Sequence, residues 1–203
     1  MRRSLSTLNP KPGRSGHAGW CAAGFPVTTF AGFRVVATNG IALPVLNVFR
    51  MFGRMGGRRL AVESDGAVPL DAILKDGVRN KADVAALASL GEKELCVLAW
   101  HYHDDDVPGP AAAVTLTVQG LDKSLTQARL THHRVDGEHG NAYTAWQQMG
   151  SPREPSAEQK AALRKASELT PWEEPRAVEV RDGQVVLRFP MPRQSVSLVR
   201  LAW

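Results

Sequence analysis

The chain has 203 residues, a formal net charge of +5, 43% hydrophobic and 22% charged residues, which suits one folded core and excludes a wholly disordered or fibrous protein. Part of the positive excess lies in Arg2, Arg3, Lys11 and Arg14; the remaining bases are interleaved with acids, without the one-sided basic face of a nucleic-acid binder. Cys21 and Cys96 are the only cysteines, too few for a disulfide framework or a cysteine zinc site, and no apolar run approaches the roughly 20 residues of a membrane span.

Residues 1–28 carry no helical or strand period and read as a disordered lead. Arg2-Arg3 lacks the continuous apolar segment of an export signal, because Pro10, Pro12, Gly13 and Gly16 interrupt it. From Pro44 the spacing of Val45, Val48, Phe49, Phe52 and Met55 predicts a helix with one heavy apolar stripe, stopped by Gly56-Gly57. The period then changes to two. Strands are expected at 60–63, 84–90, 94–103, 114–118, 125–135, 177–180, 185–189 and 196–203. The almost unbroken apolar run 94–103 reads as a central strand covered on both faces, with Cys96 as a small core residue. Asp182-Gly183 predicts a tight hairpin. Helices are expected near 141–150, capped by Asn141, and 156–170, opened by the capping box Ser156 to Gln159.

Several polar-rich motifs occur in order: residues 30–33 (FAGF), 38–41 (TNGI), 47–52 (NVFRMF), 100–106 (WHYHDDD), 133–136 (HRVD), 138–146 (EHGNAYTAW), 149–152 (MGSP) and 192–198 (PRQSVSL). Together they resemble the carboxy-terminal portion of glycoside hydrolase family 39, β-xylosidase type. The resemblance implies a retaining glycosidase with an amino-terminal (β/α)8 barrel, a carboxy-terminal β-sandwich and, in bacteria, xylosides as the usual substrate. In such an enzyme one barrel Glu is the general acid/base and another the nucleophile. That chemistry takes two carboxyl groups about 5 to 5.5 Å apart, on a barrel of about 250 residues. No position in this sequence matches either Glu, so no catalytic residue is assigned. A truncated or mis-started product, inactive alone, is the expectation.

The expected architecture is therefore mainly β, in the α+β range. Residues 29–57 read as a remnant of the last βα unit of a (β/α)8 barrel, and residues 58–203 as a β-sandwich accessory domain with short inserted helices. The stripe Val45, Val48, Phe49, Phe52 and Met55 would face barrel strands, or another copy of the chain. His101, His103, Asp104, Asp105, His133, Asp136, Glu138, His139 and Asn141 are expected to brace loops or an interface, since buried polar groups need partners.

The same residues admit other chemistry. His101, His103, Asp104, Asp105 and Asp106, or His132, His133, Asp136, Glu138 and His139, resemble metal ligands; loop bracing is favoured, and no metal or cofactor is assigned. Ser124, His132 and Asp136 would compose a triad only on paper, without a nucleophile elbow. Asp136, Glu138, Glu63 and Asp65 read as solvated carboxylates. Trp100, Trp146 and Trp203 read as core, leaving Trp172 as the weak candidate for stacking on a xylo-oligosaccharide. Neither nucleic acid nor membrane is an expected partner, and the compartment stays open between bacterial cytoplasm and periplasm.

Overall fold

The computed structural model describes residues 37–203, Asn39 excepted. The lead 1–28, Cys21 and the 30–33 motif lie outside the described residues. In chain order the elements are β1 (Ala37–Thr38), β2 (Ile41–Ala42), α1 (Pro44–Gly53), β3 (Arg58–Leu60), α2 (Leu70–Asp76), β4 (Asp83–Leu90), β5 (Glu94–Tyr102), β6 (Ala112–Val118) and β7 (Gln127–Val135). They continue with α3 (Ala142–Gln148), α4 (Ala157–Ala166), β8 (Arg176–Glu179), β9 (Val185–Met191) and β10 (Ser195–Ala202). The chain is thus mainly β with a few short helices.

Antiparallel pairing builds a six-stranded sheet in the order β3-β4-β5-β10-β7-β8 and a two-stranded sheet of β6 and β9. Alternation along each strand divides its side chains between two cores. Leu95, Val97 and Ala99 of β5, with Val199 and Leu201 of β10, meet Val185, Leu187, Phe189 and Met191 of β9 in the larger core. Cys96 and Leu98, with Val135 and Leu198, face the other way and receive Met51 of α1. Because β5 is covered on both faces, its sequence is apolar nearly throughout. A third cluster joins Ile41, Ala142, Trp146 and Leu163, tying the β1-β2 hairpin to α3 and α4.

Local chemistry sets the ends of these elements. Asp182 and Gly183, at φ 51 and 73, make the expected hairpin, closed by reciprocal Arg181 and Gln184 backbone bonds of 3.0 and 2.8 Å. The Ser156 to Gln159 capping box opens α4. That helix ends at Ala166 rather than near 170, because Ser167 Oγ donates to Arg164 O at 2.7 Å and takes up a terminal carbonyl.

One expected strand is corrected, and two elements were not expected. The strand expected at 60–63 pairs instead over Arg58–Leu60, since Gly57 at φ 79 turns the chain one residue earlier and Ser64 Oγ then bonds Val84 O at 2.6 Å. Helix α2 was not expected; it is seven residues long and buries no residue, with Leu70 and Leu74 67% and 66% exposed. The β1-β2 hairpin across Gly40 was also unforeseen. In α1 the buried side is Pro44, Asn47 and Met51. The heavier stripe lies about a quarter turn away, with Val45, Phe49 and Phe52 exposed at 38%, 60% and 44% and Val48 and Met55 half-buried.

Candidate functional site

Since β10 lies between β5 and β7 and is antiparallel to both, the end of β5, the start of β10 and the end of β7 share one edge of the sheet. The loops leaving that edge are the polar motifs of the sequence. Together with the start of α1 and the first turn of α3 they line a groove of about 470 Å³, with Pro44, Asp106, Asn141, Tyr143, Arg193 and Gln194 on its walls.

Most of the loop side chains are consumed in holding the loops. His101 is buried and donates from Nδ1 to Met191 O at 2.8 Å. His103, also buried, donates from Nε2 to Arg79 O at 2.9 Å and accepts Asp105 N at 3.0 Å on Nδ1. Asp104 accepts Val78 N at 2.9 Å and lies 3.7 Å from Arg79, whereas the Asp105 and Asp106 side chains are exposed. Asp136 is buried, and its Oδ1 takes Glu138 N and His139 N at 2.8 Å and His139 Nδ1 at 2.9 Å. Asn141 donates to Asp136 O at 3.0 Å and caps α3 by accepting Tyr143 N at 3.0 Å. Glu138 points to solvent.

The other two histidines lie on opposite faces of β7. His133 Nε2 accepts from Arg54 Nη1 at 2.6 Å, fastening the end of α1 to the sheet. Burial first, then the Arg54 and Arg200 charges, push its pKa down to about 4. His132 lies edge-on to Trp172 and Phe189, with ring centres 4.9 and 4.8 Å away; burial drops its pKa to about 3. The Arg134 guanidinium covers a face of Trp172 at 3.6 Å and donates to Pro190 O at 2.7 Å. Trp172 is therefore half-buried with one ring face occupied.

The reactive alternatives do not assemble. Ser124 Oγ donates to Asp122 at 2.8 Å in an exposed turn, while His132 is enclosed by aromatic rings. Glu63 and Asp65 line a separate recess beside β6, away from the Asp136 groove. Among the described residues no group of three or more His, Cys, Asp or Glu side chains is placed to hold a metal ion. Cys96 is 1% exposed, and burial, reinforced by Glu94, raises its thiol to about 11, out of nucleophilic range. The loops form a polar groove.

Sequence reasoning missed Asn47, Arg54 and Arg134, which brace the site, and Arg193 and Gln194, which line it. Asn47 had a legible signal, a lone amide inside an apolar helix. Gln194 is held at φ 60, a conformation sequence does not reveal for a residue other than glycine.

The model of "Glycosyl hydrolases family 39" matches residues 15–185 of this chain. The chain belongs to glycosyl hydrolase family 39. The family match takes in part of the stretch read as lead, upstream of the residue 30 at which the quoted motifs start. Among family 39-like relatives, the α-L-iduronidase of Mus musculus is 30% identical over 166 residues, covering 78% of this chain and 25% of that protein. The β-xylosidase of Geobacillus stearothermophilus is 24% identical over 170 residues, covering 84% of this chain and 29% of that protein. A monomeric β-xylosidase from Caulobacter crescentus CB15 superimposes with a TM-score of 0.63 at 23% identity, over 85% of this chain and 33% of that one. This family 39 chain thus spans about a quarter to a third of the relatives it matches. No helix among its described residues is long and apolar enough to cross a membrane.

Proposed function

We propose that this chain is the β-sandwich accessory part of a retaining family 39 glycosidase of the xylan 1,4-β-xylosidase lineage, and that it turns over substrate only with a (β/α)8 barrel. The observation that carries the reading is the exposed face of α1. Val45, Phe49 and Phe52, 38%, 60% and 44% exposed, point away from the sheet to which Met51 fastens the helix. Burying a large apolar side chain outright is worth about 1.5 to 3 kcal/mol, and covering what these three still expose is worth part of that, so this face favours a partner; in this reading residues 29–57 would supply the last βα unit of the barrel. The groove beside Pro44 lies at the amino end of α1. In a barrel the loop that leads into such a helix sits on the catalytic side, so the groove would border the mouth of the active site.

The two carboxylates of the reaction come, in this reading, from the barrel. Asp136, the buried acid of the groove, is already committed to three donors. The test is to assay the purified chain on an aryl β-xyloside and an aryl α-L-iduronide, alone and with a separately expressed barrel fragment. Turnover of the xyloside only in the mixture is expected. Activity of the chain alone, surviving removal of host glycosidase, overturns the reading; preference for the iduronide reassigns the sugar.

A further inference from the structure

Arg193 carries its charge into the groove without a counter-charge. Its guanidinium lies over Gly109, where an added Cβ would come within 2.4 Å of Cζ and 2.5 Å of both Nε and Nη2, so the missing side chain is what gives it room. Among the described residues one hydrogen bond engages it, from Nη1 to Val107 O at 3.2 Å. Nε is buried with no partner, and no carboxylate lies within 4.0 Å. A guanidinium held against the 107–109 loop with donors to spare is matched in geometry and charge by a carboxylate.

The rest of the wall limits which carboxylate. Gln194, the next residue, is held at φ 60; its Nε2 donates to His103 O at 2.7 Å, and its Oε1 is buried without a partner. Backbone strain of this kind gathers at binding sites, where the surroundings enforce it. Asp106 is exposed on the same groove and only accepts, Thr144 adds a hydroxyl, and Tyr143 and Pro192 add apolar surface. That mixture suits a ring dense with hydroxyls, and about 470 Å³ falls within the range of about 300 to 1,000 Å³ of small-molecule sites. With Asp106 and Asp136 on the walls against one guanidinium, a phosphate or a polyanion meets more repulsion than Arg193 offsets. Residues 1–36 contain no Asp or Glu, so the stretch outside the described residues brings no side-chain carboxylate to this site.

We propose that the groove binds a uronic acid, a sugar with a single carboxylate, holding the carboxylate on Arg193 and ring hydroxyls on Gln194, Asp106 and Thr144. The choice of a sugar as carrier of the carboxylate rests on the glycosidase reading. The choice of a carboxylate rests on Arg193 alone.

The experiment is an amide chemical-shift titration of the full chain by NMR, with D-glucuronate, D-glucose and acetate as probes. Glucuronate is expected to shift the amides of Val107, Gly109, Arg193 and Gln194 and to bind at least about tenfold more tightly than glucose or acetate. Arg193→Gln should weaken glucuronate at least about tenfold, to the level of glucose. Gly109→Ala, which displaces the guanidinium, should also weaken it, and takes the place of Arg193→Gln if that variant fails to fold. Glucose or acetate binding as tightly as glucuronate overturns the proposal, as does a glucuronate affinity that Arg193→Gln leaves unchanged. Loss of glucuronate binding on adding the barrel fragment would give Arg193 to a barrel carboxylate and also overturn it. Glucuronate binding that depends on Arg193, without xyloside turnover in the mixture, upholds this inference and sinks the glycosidase reading; turnover without glucuronate binding does the reverse.

Discussion

Asn47 Nδ2 lies 2.9 Å from Gly140 O, and a Cβ added to Gly140, which sits at φ 60, would come within 3.1 Å of that same nitrogen. The glycine is what lets the helix reach the groove loop. Asn47 also donates to Ser167 O at 2.9 Å and accepts from Arg50 at 2.8 Å. One fully buried amide thereby joins α1, the 136–141 loop and the end of α4. Asn47→Ala should cost about 1 to 3 kcal/mol for each carbonyl left buried and unpaired, read as a lowered urea midpoint. Gly140→Ala should cost about 1 to 2 kcal/mol from the left-handed backbone alone, before any crowding of the amide. A loss below about 0.5 kcal/mol in Asn47→Ala, the range of a bland surface change, would contradict this account.

Burial of His133, with the Arg54 charge beside it, makes stability depend on pH. Folding depresses the His133 pKa from 6.5 to about 4, so the unfolded chain binds the extra proton between those values. The contribution is complete above about pH 6.5, declines as pH falls towards 4 and changes no further below that. His132, lowered to about 3, extends the same trend. A shift of this size corresponds to about 3 kcal/mol for His133. His133→Gln should remove about half of the histidine-dependent slope of unfolding free energy against pH between 6.5 and 4, leaving the His132 share; an unchanged slope would show that the imidazole is not responsible.

The exposed stripe of α1 predicts an unusual pattern of tolerance. Phe49→Ser with Phe52→Ser should leave the urea midpoint of the isolated chain within about 0.5 kcal/mol of wild type, because neither ring is buried there. The same pair should abolish the gain of xyloside turnover on mixing with a barrel fragment. Stability lost in the isolated chain would mean that the face is already covered.

At the start of α4, Ser156 Oγ accepts Gln159 N at 3.2 Å and Gln159 Oε1 accepts Ser156 N at 2.9 Å. Ser156→Ala should cost about 1 kcal/mol. The loss should appear as faster amide exchange in the first turn of α4, with the six-stranded sheet unaffected.

Much of the fold was legible because local period and burial agreed. Val114, Leu116 and Val118 alternate with threonines, and the 94–103 run is apolar because one core takes Leu95, Val97 and Ala99 while another takes Cys96 and Leu98. The orientation of α1 was not legible. Its richest apolar stripe faces outward, and Met51 with Asn47 decides the docking, which depends on a sheet more than 40 residues further along the chain. The groove was hidden for a related reason: Asp106, Asn141 and Arg193 converge only because β10 enters between β5 and β7, a pairing that no local pattern encodes. The motifs named the loops, and topology gathered them.

The placement of β10 also orders events during synthesis. Ser195–Ala202 supplies both neighbours of the sheet's centre, pairing β5 on one side and β7 on the other. Until those residues emerge from the ribosome, β4 with β5 and β7 with β8 are separate ribbons with raw inner edges. Loss of Ser195–Ala202 would therefore split the sheet down the middle instead of trimming its rim.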